Sequence, residues 1–130
     1  MSMISALLIK TIKNETGMIC FPRYVPEKQK LPAITYELIR LDTKKLASKG
    51  TTKLRNEVIQ LNVFSNSQAD AMKIRSQLIR LFEDLLVVDS YDGYDYECYF
   101  SAINAVDLST TNTYQSSLDI HVKYAEFKQD

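Results

Sequence analysis

At 130 residues and 45% hydrophobic, the chain suits a single domain with one packed core. Sixteen basic and sixteen acidic residues cancel, which excludes a strongly basic nucleic-acid binder by total charge. One histidine, and two cysteines without CxxC spacing, exclude a histidine-rich zinc site, and no apolar run approaches the ~18 residues of a membrane span.

Met3 to Ile9 is apolar but lacks a basic lead-in and a small-residue cleavage site, so no signal peptide is expected. The chain reads as soluble and made in a cytoplasm, with Cys20 and Cys98 as reduced, partly buried thiols. Ser2 can cap a first helix. Ile4, Leu7, Leu8 and Ile12 recur at helical spacing, and Gly17 is the expected stop. A short extended piece over 18–25 follows, then a link through Pro22, Pro26 and Pro32, which confine the backbone to extended or turn geometry. Residues 33–41, "AITYELIRL", alternate as a strand, with Ile34, Tyr36 and Leu38 on one face and Thr35 and Glu37 on the other. Residues 42–53 read as a hairpin loop around Gly50. Residues 54–64 form the clearest strand, with Ile59, Leu61 and Val63 inward and Gln60 and Asn62 outward.

The period then changes. Ser67 and Asp70 are placed as a capping pair. Ala71, Ile74, Leu78, Leu81, Phe82 and Leu85 form one apolar stripe of a helix that should cover the sheet. Residues 96–108 alternate again, with Asn104 breaking the pattern. Residues 109–117 are the expected turn, and Leu118, Ile120, Val122 and Tyr124 the inner face of a last strand. The expected class is α+β: one mainly antiparallel sheet of four to five strands, flanked by an N-terminal helix and one long amphipathic helix.

Between the second helix and those last strands lies "DSYDGYDYECYF", residues 89–100, with four acids and four tyrosines. It fails as an EF-hand: with Gly93 sixth, Val88 and Ser90 fall where the first and third ligands belong. Solvated turn acids are the commoner reading of Asp89, Asp92, Asp95 and Glu97, although a looser ion site from them stays open. No GxSxG, phosphate-binding glycine loop or HExxH occurs. Glu126 and Lys128 have the E-x-K spacing of some metal-dependent nucleases, with Asp107 or Asp119 upstream, but at a terminus where a frayed tail is the blander explanation. No catalytic residue, metal or cofactor is expected.

Charge is unevenly spread. Residues 40–55 hold six bases and one acid, whereas 81–122 hold eight acids and no Lys or Arg. A basic loop carrying Lys44, Lys45, Lys49, Lys53 and Arg55 can meet an acidic edge of another copy carrying Asp89, Asp92, Asp95 and Glu97. Such a head-to-tail contact closes a ring when repeated about an axis. Tyr91 and Tyr94 add the contact area typical of interfaces, while of the four tyrosines only Tyr96 is expected on the core face. No aromatic in 42–54 is available to stack bases, so contact with a duplex would be sequence-independent.

The layout resembles the tail terminator, or tail completion, proteins of long-tailed bacteriophages. The similarity rests on an N-terminal helix and proline link, on "LPAITYELI" (31–39) as strand entry, and on "EVIQLNVFSNSQADAMKIRSQLIRLFEDL" (57–85). The last is a strand ending in an aromatic, a Ser/Asn-rich turn and an amphipathic helix; two closing strands complete it. The resemblance implies a virion protein of the tail–neck region, assembled in the host cytoplasm. It implies a homo-oligomeric ring, typically a hexamer, on the head-proximal end of the tail tube. Such a ring halts tube growth, docks to the neck and head-completion proteins and lets genomic DNA through its lumen, with no membrane involved. The alternatives are a head-completion adaptor on the portal side and a small metal-dependent nuclease. The interface residues above come from charge and not from the resemblance.

Overall fold

The computed structural model describes residues 3–45, 52–109 and 113–128. Helix α1 spans Met3–Thr16 and buries Ile4, Leu8 and Ile12, one residue per turn of the inward stripe. It ends where expected. The Gly17 N–H donates to the Lys13 carbonyl at 2.8 Å with φ 74°, a left-handed closing position that favours glycine. The expected cap, Ser2, lies outside the described residues. Strand β1 is only Cys20–Pro22. Pro22 has no N–H to extend a ladder, and Arg23 turns away at φ 60°.

Strands β2 (Ala33–Lys45) and β3 (Thr52–Ser65) form a long antiparallel hairpin. Pairing continues to Lys45↔Lys53, so both ends of the expected loop over 42–53 belong to the strands; the remainder, 46–51, lies outside the described residues. Polar side chains do not prevent this, because the ladder satisfies backbone groups whatever the side chain. The register shifts between Leu38 and Arg40, a bulge at Ile39.

Helix α2 spans Gln68–Phe82, and the Ser67 Oγ accepts the Asp70 N–H at 3.3 Å. Ala71, Ile74, Leu78 and Phe82 are buried as the stripe predicts. Leu85 is not part of this helix. The Glu83 N–H closes the last turn on the Ile79 carbonyl, Asp84 adopts φ 55°, and Leu85 begins strand β4, Leu85–Tyr91. Asp tolerates that left-handed conformation better than most residues.

Strand β4 turns into β5 (Tyr94–Ser109) through Asp92-Gly93, at φ 52° and 83°. Positive φ at both central residues is the type I′ hairpin geometry that Asp-Gly favours. Residues 89–100 therefore belong to a two-stranded hairpin, and the described residues form six strands against the four to five expected. Strand β5 shifts register between Ala102 and Asn104, where the sequence pattern breaks. Strand β6 covers Tyr114–Lys128, so the expected turn over 109–117 is shorter than its polar composition suggests.

The sheet order is β1-β2-β3-β6-β5-β4. The β1–β2 pair is parallel and every other pair antiparallel. The core forms between one sheet face and the two helices, joining Leu61, Leu118, Ile120 and Phe100 to Leu8, Leu78 and Phe82. The opposite face is partly closed too. Asn62, expected to point to solvent, is buried there, accepting from the Ser117 Oγ at 2.6 Å and the Gln115 Nε2 at 3.1 Å. A cross-strand hydrogen-bonded group of this kind offsets the cost of burying an amide.

Candidate functional site

The β2–β3 and β4–β5 hairpins finish at the same end of the sheet. One cross-strand row runs Lys45↔Lys53↔Glu126↔Tyr96↔Asp89. The basic segment thus occupies one flank, on β2 and β3, and the acidic segment the other, on β5 and β4, with β6 between. Four strand spacings, about 19 Å along the sheet, separate β2 from β4. Sequence alone suggests two unlike sides. The structure places the two charges at one end but on opposite flanks.

Lys44, Lys45 and Lys53 have described backbones on these strands, while their side chains, and Lys49 entirely, lie outside the described residues. Arg55 is engaged within the chain: its Nη2 lies 3.0 Å from the Glu126 Oε2, and its Nε donates to the same oxygen at 3.1 Å. The Tyr96 hydroxyl donates to the other oxygen, Glu126 Oε1, at 3.0 Å. Burial, then this carboxylate partner, push the Tyr96 phenol up to about 12. Tyr94 shares the core side with Tyr96, their ring centroids 6.4 Å apart, so Tyr96 is not alone there as the sequence suggests.

On the acidic flank, the Ser90 Oγ donates to the Asp95 Oδ1 at 2.6 Å and the Ser90 N–H to the Asp89 Oδ1 at 2.8 Å. Strand alternation puts Asp89 on the helix side and Asp95 and Glu97 on the other, with Asp92 in the turn. The four acids do not converge on one point, and among the described residues no group of three His, Cys, Asp or Glu side chains is placed to hold a metal ion. The nuclease constellation is likewise dispersed. Asp119 faces away from Glu126 by strand parity, and Asp107 pairs with Ser116, ten residues along β6 from Glu126, about 33 Å.

Glu57 was not anticipated. It is buried beside Tyr124, whose hydroxyl hydrogen-bonds its carboxylate, and its Oε2 has no hydrogen-bond partner. The signal was present in the sequence: Glu57 has the parity of Ile59, Leu61 and Val63, the inward positions of β3. Burial raises its carboxyl pKa above the ordinary range, while the Tyr124 hydrogen bond and the Arg55 charge oppose that rise. A raised folded-state pKa gives a stability contribution that is full below the unfolded value, near 4.3, and lost as pH rises through the folded value. Glu57→Gln keeps the shape and drops the charge. Thermal unfolding should therefore show Glu57→Gln more stable than wild type at pH 7, with the advantage gone by pH 4. An unchanged melting temperature at pH 7 would contradict this account.

The face opposite the helices carries a shallow groove of about 280 Å³ lined by Leu54, Leu86, Glu97, Tyr99, Lys123 and Ala125, among others. The Tyr99 hydroxyl donates to the Asp84 Oδ1 at 2.6 Å, and that acceptor raises its pKa. Cys20 and Cys98 are free and buried, and burial pushes both thiols up to about 12.

These features define a class: an α+β protein whose described residues form a single sheet of six strands with two helices on one face, and whose opposed charges lie on strands that meet at one sheet end. No protein-family model matches the chain, and no curated protein matches it. Among the described residues no helix is long and apolar enough to cross a membrane.

Proposed function

We propose that the chain is a structural virion protein of a long-tailed bacteriophage, a tail terminator acting as a closed homo-oligomeric ring, hexameric by analogy with the family it resembles. The ring caps the head-proximal end of the tail tube, stops its polymerisation and presents a surface to the neck. Genomic DNA passes through its lumen, touched only through its phosphates. The observation that carries this reading is the placement of a basic and an acidic segment on opposite flanks of one sheet. One copy's acidic flank can meet the next copy's basic flank, and the contact is unlike on its two sides, as a ring requires. The resemblance in sequence layout supplies the rest.

Electron microscopy of the purified protein, alone and mixed with headless tails, tests the proposal. The expected result is rings with a hole wide enough for a duplex, seated on tube ends and blocking further growth. Protein that ignores headless tails but binds portal complexes would move the assignment to the portal-side adaptor. Magnesium-dependent cleavage of DNA that Glu126→Ala abolishes would overturn the structural reading altogether.

A further inference from the structure

The sheet ends at two edges of unlike character. At one edge stands β4, which among the described residues pairs only with β5. Its Leu86 and Val88 are 65% and 69% exposed. At the other, β1 covers β2 only at Ile34, Thr35 and Tyr36. Beyond Tyr36 the outer side of β2 has no partner strand among the described residues, and Leu38, Ile39 and Leu41 are exposed. Bare apolar edges are rare in working proteins because they template pairing with another chain.

We infer that the outer edge of β4 pairs with the outer edge of β2, beyond Tyr36, in the next copy, so that the sheet continues from subunit to subunit. The inference rests on the closed-ring reading and names its contact. Charge selects the occupant. Asp84, Asp89 and Asp92 border the β4 edge, whereas Arg40, Lys44 and Lys45 belong to β2. Arg40 already meets Asp42 at 2.7 Å, but both side chains are largely exposed, and such a pair is weak and readily exchanged. Pairing β4 with a second β4 would set acids against acids, and β2 with a second β2 would set bases against bases. Direction agrees as well. Alternating antiparallel neighbours make β2 and β4 run the same way. Rotation about an axis roughly along the strands preserves that sense, so the new pairing is parallel.

Hairpin geometry supplies the test. Tyr91 and Tyr94 close a two-residue loop and form a hydrogen-bonded pair, so by alternation the N–H groups of Leu86, Val88 and Ser90 point away from β5. The Ser90 N–H fits this, donating to Asp89 and not across the ladder. Val88→Pro therefore removes an outward donor without breaking the β4–β5 ladder, a place where an edge strand accepts proline.

Sedimentation velocity should find wild type as a closed oligomer and Val88→Pro as a monomer with unchanged circular dichroism. In the wild-type assembly, amide exchange at Leu86 and Val88 should slow at least tenfold relative to dilute monomer, a reading that stands even if Val88→Pro fails to fold. Normal assembly of a folded Val88→Pro, a wild type that stays monomeric at every concentration, or an assembly with unprotected β4 amides would each overturn the pairing. Wild type that caps headless tails with those amides unprotected would overturn the pairing and leave the terminator reading standing. Protected rings that ignore tails would do the reverse.

Discussion

Phe82→Ala is expected to destabilise the fold by about 3–5 kcal/mol, the usual cost of truncating a buried phenylalanine. Phe82 is the last residue of α2 and is fully buried. Its ring lies 5.4 Å from that of Phe100 on β5, tilted by 45°, so truncation removes apolar burial and an aromatic contact together. It also removes the side chain that pins the helix end just before the chain turns at Asp84 into β4. For a domain whose whole stability is on the order of 5–15 kcal/mol, the melting temperature should fall by about 11–18 °C. Urea unfolding followed by circular dichroism measures this. Met72→Ala, on the exposed side of the same helix, should stay within about 0.5 kcal/mol of wild type. A loss below about 1 kcal/mol at Phe82 would mean that α2 is not held to the sheet as described.

The second large effect is on assembly and not on folding. Lys44→Glu combined with Lys45→Glu reverses two charges on the strand proposed to receive the acidic β4 of the next copy. The expected outcome is loss of rings and of tail attachment, with monomer stability changed by no more than about 0.5 kcal/mol, as is usual for surface substitutions. Arg55→Ala offers a contrast. Arg55 is tied to Glu126 inside the chain, with side-chain exposures of only 25% and 13% for the two partners. Its loss should act on stability before it acts on assembly, because it strands a partly buried carboxylate. Raising the salt concentration should weaken wild-type rings, since exposed charge pairs are screened. Rings formed by the double charge reversal at wild-type concentrations would show that the basic flank is not the contact.

The helices were legible because each declares itself locally: Gly17 and Ser67 mark boundaries, and the stripe through Ala71, Ile74, Leu78 and Phe82 has one period only. The inner faces of β3 and β6 were legible for the same reason. Strand β4 carries a plain signal, since Asp92-Gly93 between alternating residues is a strong short-range hairpin mark, but the same residues also supply the acids of the 89–97 cluster and so read as a charged turn. Leu85 was drawn into the helix because apolar spacing continues past Phe82, while the turn at Asp84 depends on a backbone conformation that spacing does not report. Asn62 read as solvent-facing because its partners, Gln115 and Ser117, lie more than fifty residues away in the chain.

The sequence by itself determined the α+β class, the two helices with their boundaries at Gly17 and Ser67, and the uneven distribution of charge, because boundaries, periods and charges are set by residues within one turn or one strand of each other. Only the tertiary structure decided that the basic and acidic segments share one end of the sheet on opposite flanks, that Arg55 is already bound to Glu126, and that among the described residues β4 and most of β2 have no strand on their outer side. Those facts depend on strand order and register, which arise when segments far apart in the chain pair, and no local pattern encodes which strands become neighbours.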